Sequence, residues 1–183
     1  SEGSSMNEKI RYGVTLGLIC LLAGAVLSGV NALTEPVIQQ KKEQAKWQAC
    51  KELVPTAETF QPFEKDGTML FLEALDKNKN LIAFLVYASK SGYSSNVETL
   101  TALTPSLEII GITVVSQNET PGLGTRVTEN AFTGQFKGKT PATYDQVQAI
   151  TGATISSSAV IDAVRARLDA LQEIMTQEAA RGR

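Results

Sequence analysis

The 183-residue sequence contains no histidine, and that absence removes several chemistries at once. A catalytic triad centred on imidazole, a His-ligated metal and an imidazole pH switch are all excluded. Cysteine is nearly as scarce, with Cys20 and Cys50 alone in the chain. Two thiols make neither a zinc site nor a disulfide framework. Cys20 also lies inside an apolar run, which argues against a bridge to Cys50. Charge of one sign is lacking too. The 17 Lys and Arg against 19 Asp and Glu leave a net charge of −2. That balance excludes the dense basic surface that nucleic acid requires. No metal site and no catalytic side chain are predicted.

What is present is apolar. Hydrophobic residues make up 43% of the chain, ample for a packed core. The length predicts one domain with at most an appendage. Residues 12–33 carry no charge and are flanked by Arg11 and Glu35. As a helix they span about 33 Å, enough for a hydrocarbon core of about 30 Å. A cleaved signal peptide is the competing reading, and the small residues of Ser28-Gly29-Val30-Asn31-Ala32 leave it open. Residues 1–11 read as an N-terminal tail, with Ser1–Ser5 ahead of a start at Met6. Lys9 and Arg11 precede the span, but Lys41, Lys42, Lys46 and Lys51 follow it. That count leans towards a cytoplasmic C-terminal domain, although long domains escape the rule.

After the span, Thr34-Glu35-Pro36 reads as a helix restart. Residues 34–64 are predicted as a helical stalk and linker, the helix ending before Pro55. From residue 65 to residue 183 the pattern predicts one α+β domain, an antiparallel-type sheet packed with helices. Residues 68–75 and 81–89 read as a hairpin with a five-residue loop. Residues 96–103 and 107–116 read as further strands, the last rich in β-branched residues and expected at the centre. Short helical signals lie around 129–136, and 147–150 reads as a short strand. Val160, Val164, Leu168, Leu171 and Met175 then mark one face of a terminal helix.

Three segments carry candidate chemistry. Thr151-Gly152-Ala153-Thr154-Ile155-Ser156-Ser157-Ser158 leads into the terminal helix. It reads either as an ordinary hydroxyl cap or as a phosphate cradle at a helix N-terminus. Glu119-Thr120-Pro121-Gly122-Leu123-Gly124 reads either as a tight loop or as a close backbone approach to a flat ligand. Ser91-Gly92-Tyr93-Ser94-Ser95 reads by itself as a strand connection.

In this order and spacing the three segments resemble a known family. It is the FMN-binding domain shared by the G subunit of the Rnf electron-transport complex and the C subunit of the sodium-pumping NADH:quinone oxidoreductase. The matching pieces are Gly92-Tyr93, Glu119 to Gly124, and Thr151 to Thr154 with Ser156 and Ser157. Chain length favours the Rnf protein. The resemblance implies FMN esterified through its phosphate to Thr154 by a dedicated flavin transferase. It implies that Thr151, Gly152, Ala153 and Ser157 surround the phosphate. Glu119, Thr120, Gly122, Leu123 and Gly124 then lie along the flavin, with Tyr93 at the ribityl chain or bracing the loop. Family members often carry Asp three residues before the Ser/Thr-Gly-Ala-Thr motif; Gln148 stands there, with Asp145 three residues earlier.

The function so implied is a membrane-anchored electron carrier in an ion-translocating ferredoxin:NAD oxidoreductase complex. Its partners are the other membrane subunits. Its place is the inner (cytoplasmic) membrane, with the soluble domain on the periplasmic or external side. The corresponding subunit of the sodium-pumping NADH:quinone oxidoreductase, a flavin-binding membrane regulator and a structural tether are the rival readings.

Overall fold

The computed structural model describes residues 2–181, with side chains from Arg11 onward. Helix α1 (Glu2–Leu53) opens the chain. Strands β1 (Thr59–Lys65), β2 (Thr68–Leu75), β3 (Leu81–Ser91), β4 (Asn96–Leu103) and β5 (Ile109–Ser116) follow. The short α2 (Asn130–Thr133) and the long α3 (Thr154–Arg181) complete it. The chain divides after Gln44 into two units.

The first unit is helix alone. Every described side chain from Arg11 to Gln44 is exposed, and the segment is long and apolar enough to cross a membrane. The expected restart at Thr34 does not occur, because α1 runs through Pro36. Proline in a helix interior removes one amide donor and crowds the carbonyl four residues back, yet the helix continues past it. The Thr34 hydroxyl donates back to the carbonyls of Val30 (2.9 Å) and Asn31 (3.3 Å) instead of capping a new helix.

The second unit begins in the last turns of α1, where Ala49 and Cys50 become buried, with Val54 buried just beyond the helix. Helix α1 stops at Leu53, two residues before Pro55, as expected. The five strands form one antiparallel meander in the order β1-β2-β3-β4-β5. Strand β1 lies in the stretch read as linker. Its sequence, Thr-Phe-Gln-Pro-Phe-Glu-Lys, contains Pro62, which points away from a strand. As an edge strand β1 tolerates it. The β2–β3 hairpin falls where expected. Asp76 closes its turn by accepting from the amides of Asn78 (2.7 Å) and Asn80 (2.8 Å).

Both sheet faces are covered. On one, Val160, Val164, Leu168, Leu171 and Met175 of α3 pack with Phe71, Phe84, Val97 and Leu103. The predicted helical face is therefore the buried one. On the other, Ala49, Cys50 and Val54 lie against Ala74, Ala83, Leu85, Leu100 and Ala102. Small residues let the helix approach closely: a methyl group at Gly111 would come within 3.2 Å of Leu53.

Two expectations fail here. Strand β5 is an edge strand, not a central one. Its β-branched residues reflect burial on both faces, with Ile109 and Ile112 towards α3 and Ile110 and Val115 in the opposite cluster. Its free edge is partly used, since Ile109 exchanges backbone bonds of 2.8 Å with Gly138 and Lys139. Residues 147–150 form no strand. The backbone of Gln148 bonds instead to the side-chain amide of Gln135, at 3.0 and 3.4 Å.

Candidate functional site

The three candidate segments meet at the N-terminus of α3. A cleft of about 520 Å³ lies there, lined by Tyr93, Glu119, Thr120, Leu123, Gly124 and residues 152–156. That volume is in the range of roughly 300–1,000 Å³ usual for small-molecule sites.

Each wall has a local cause. In Thr120-Pro121-Gly122-Leu123 the amide of Leu123 donates to the Thr120 carbonyl (3.2 Å), and Gly122 has φ +73°. Proline followed by a positive-φ glycine is the signature of a type II turn. In Ile150-Thr151-Gly152-Ala153 the same device recurs. Ala153 donates to Ile150 (3.0 Å), and Gly152 has φ +82°. This turn delivers the chain into α3. The first helical bond there runs from the Ser157 amide to the Ala153 carbonyl (2.9 Å). The amides of Thr154, Ile155 and Ser156 therefore have no acceptor among the described residues. Three free donors at the positive end of a 28-residue helix suit an anion. Thr154 is exposed beside them and its hydroxyl is unengaged among the described residues. Around the cleft, Tyr93, Leu123 and Ile155 each leave more than half of their surface exposed. Apolar groups of this size exposed together suit a flat ring.

Behind the cleft sits Glu119, 4% exposed. Its Oε1 accepts from the amides of Ser94 (3.1 Å) and Ser95 (3.0 Å). Its Oε2 accepts from the amide of Tyr93 (3.2 Å) and the hydroxyl of Ser156 (2.7 Å). The Ser95 hydroxyl adds a longer contact of 3.4 Å. Burial pushes the carboxyl pKa up, but the hydrogen bonds from Ser156, Ser95, Ser94 and Tyr93 together hold it below the usual glutamate value.

Not every predicted residue reaches the cleft. Thr151 lines a neighbouring hollow of about 340 Å³ with Arg126 and Glu129. Its carbonyl accepts from the Arg126 guanidinium (3.4 Å). Gly122 shapes the turn without lining the wall. Ser157 is fully buried, and its hydroxyl donates to the Ala153 carbonyl (2.8 Å) and accepts from the Ile150 amide (3.0 Å). It fastens the turn rather than facing a ligand. Conversely, Ile155 and Ser156 line the cleft, although Ser156 figures in the sequence only as part of the motif and neither is expected to contact the ligand. A signal existed for Ser156. Continuing the Val160/Val164 stripe back by one helical turn lands on Ser156 and Ser157, which predicts both inward and Thr154 and Ile155 outward.

An α+β sheet domain with an anion-ready cleft at the start of its last helix has the form of a domain that holds an anionic small molecule. The profile of the FMN-binding domain matches residues 92–169, and that of the RnfG N-terminal region matches residues 6–53. The chain is 34% identical to the G subunit of the proton-translocating ferredoxin:NAD(+) oxidoreductase complex of Clostridium ljungdahlii, covering 96% of this chain and 97% of that one. It is 29% identical to the G subunit of the Na(+)-translocating ferredoxin:NAD(+) oxidoreductase complex of Acetobacterium woodii, over 90% and 92%. The crystal structure of Shewanella oneidensis NqrC shares the fold, with TM-score 0.52 and 22% identity over 69% of this chain and 73% of that one. The chain belongs to the RnfG family, the G subunits of these ion-translocating oxidoreductase complexes.

Proposed function

We propose that this chain is the membrane-anchored electron carrier of an ion-translocating ferredoxin:NAD oxidoreductase complex. In this reading it holds FMN as a phosphoester of Thr154. The observation that carries it is the juxtaposition of an unengaged Thr154 hydroxyl with three unpaired amides at one end of an apolar-rimmed cleft. The residues present fit the group. Gly152, Ala153 and the amides of residues 154–156 take the phosphate. Thr120, Leu123, Gly124, Tyr93 and Ile155 take the ring and its chain. Thr151, Gly122, Ser157 and Glu119 shape these walls from behind.

Bound FMN supplies the redox chemistry, and the protein supplies position and electrostatics. The four close donors occupy the Glu119 lone pairs, so Glu119 is assigned no proton transfer. This suits electron relay better than substrate turnover. Attachment would form Thr154 Oγ–P while breaking the Oγ–H bond and one P–O bond of the flavin donor, so the chain would gain FMN less one water. A flavin transferase makes the bond, so a chain without histidine needs no base of its own. The apolar span of α1 anchors the domain among the other membrane subunits.

The test is an intact mass of the chain co-expressed with a flavin transferase, followed by peptide mapping. The expected gain is FMN less one water, on Thr154. Thr154→Val keeps the side-chain shape, removes the oxygen and should abolish bound flavin while the domain stays folded. Flavin retained in that variant refutes the attachment. An unmodified native chain, beside a control that is modified, refutes the carrier reading.

A further inference from the structure

Glu119 joins segments far apart in the chain. Its carboxylate reaches the 93–95 turn and the first turn of α3, which carries Ser156 two residues beyond Thr154. No Lys or Arg pairs with it among the described residues. A buried charge without a counter-ion is costly unless hydrogen bonds replace its hydration. Here three amides and a hydroxyl do so, one for each of about four lone-pair sites. No acceptor capacity remains for a ligand.

Two glycines of the motifs answer to this carboxylate. Neither Gly92 nor Gly124 has a positive φ, so the backbone does not require glycine at either position. The space does. A methyl group at Gly92 would meet Glu119 Oε1 at 2.6 Å. One at Gly124 would meet Glu119 Oε2 at 2.7 Å and Ser156 Oγ at 2.8 Å. By contrast, a methyl at Gly122 or Gly152 meets nothing within 4 Å. The close approach that glycine permits at 92 and 124 is therefore made by Glu119 and not by a ligand.

We propose that Glu119 is the positioning residue of the cleft. Its carboxylate latches the 92–95 turn to the first turn of α3 and so presents Thr154 and the three free amides for the FMN phosphate. It does this without being a flavin ligand. The inference rests on the reading of the cleft as an FMN site. Glu119→Gln preserves the shape, but its Nε2 cannot accept a hydrogen bond. Ser156→Ala cuts only the arm to α3. Gly124→Ala wedges the two partners apart.

The experiment measures two things on the full-length chain: amide hydrogen exchange, and the fraction bearing FMN after co-expression with a flavin transferase. In Glu119→Gln the amides of residues 93–95 should exchange about tenfold faster or more, and the FMN-bearing fraction should fall by a similar factor. Exchange in β3 and β4 should not change. Ser156→Ala should leave the 93–95 amides protected and still lower the loaded fraction, a split that loss of the fold does not produce. The double variant Glu119→Gln/Gly124→Ala should load no less than the poorer single variant, as expected for one shared interaction. Native loading in both Glu119→Gln and Ser156→Ala overturns the latch. So does faster exchange in Glu119→Gln with native loading. If Glu119→Gln fails to fold, Ser156→Ala decides by the same split. A native chain that takes no FMN overturns the parent reading, and that result is distinct because the latch is judged against a loaded native chain.

Discussion

Glu119 also sets a pH dependence. Its folded pKa is depressed, because its hydrogen-bond donors outweigh its burial. A depressed carboxyl contributes stability above its unfolded value, and that stability is lost as the pH falls through the folded value. Replacement by Gln leaves buried amides short of an acceptor, at a cost of about 1–3 kcal/mol near neutrality. The gap in melting temperature between native and Glu119→Gln chains should therefore narrow steadily below about pH 4.5, the ordinary range of the group. Thermal melts from pH 7 to pH 3 check this, and a gap constant with pH contradicts it. Asp76 is also shifted down, through its bonds to Asn80 and Asn78, but it titrates alike in both chains. Tyr144 moves the other way. Burial, with Asp169 nearby, pushes its phenol up to about 12, and it stays neutral throughout this window.

Among the elements, α3 carries two functions on one helix. Its first turn lines the cleft, and its next five turns cover the sheet. Core packing thus holds the amides of residues 154–156 in place. Leu168, 2% exposed, lies mid-way along the packed face. Leu168→Ala should cost about 2–5 kcal/mol through lost burial and the cavity left behind. The exposed Gln172→Ala should change stability by less than about 0.5 kcal/mol. Urea unfolding of both variants measures the difference, and equal costs would mean that α3 does not pack as described. The helix was legible because its apolar residues recur at helical spacing. Strand β1 was not, because Pro62 disguises it and only its pairing with β2 makes it a strand. The 147–150 segment erred in the other direction. Its apolar residues satisfy a strand pattern, yet a glutamine side chain supplies the partner.

For the whole molecule, the question is the side of the membrane. The lysine count after the span leans to the cytoplasm, whereas the family resemblance implies the periplasmic or external side. Long domains cross regardless of flanking charge, so the resemblance carries more weight. Protease added to right-side-out vesicles should cut the exposed region near Gln44 and release a soluble fragment that contains the sheet and α3. Inverted vesicles should protect it. Release from inverted vesicles alone would place the domain in the cytoplasm.

The three segments that meet at the cleft were grouped through the family resemblance. Sequence patterns by themselves determined the apolar span, four of the five strands and the buried face of α3. All of these rest on periodicity or on local turn chemistry, which act over a few residues and leave a trace at fixed spacing. Tertiary structure alone decided the order of β5 in the sheet, the strand character of residues 59–65 and the roles within the cleft. Ser157 and Ser156 are adjacent and chemically identical, yet one fastens a turn and the other receives Glu119 from 37 residues away. Gly122 and Gly124 differ in the same manner, one needed for its dihedral angle and the other for the space beside it. Long-range contacts of this kind have no period in the chain, and only the folded arrangement assigns them.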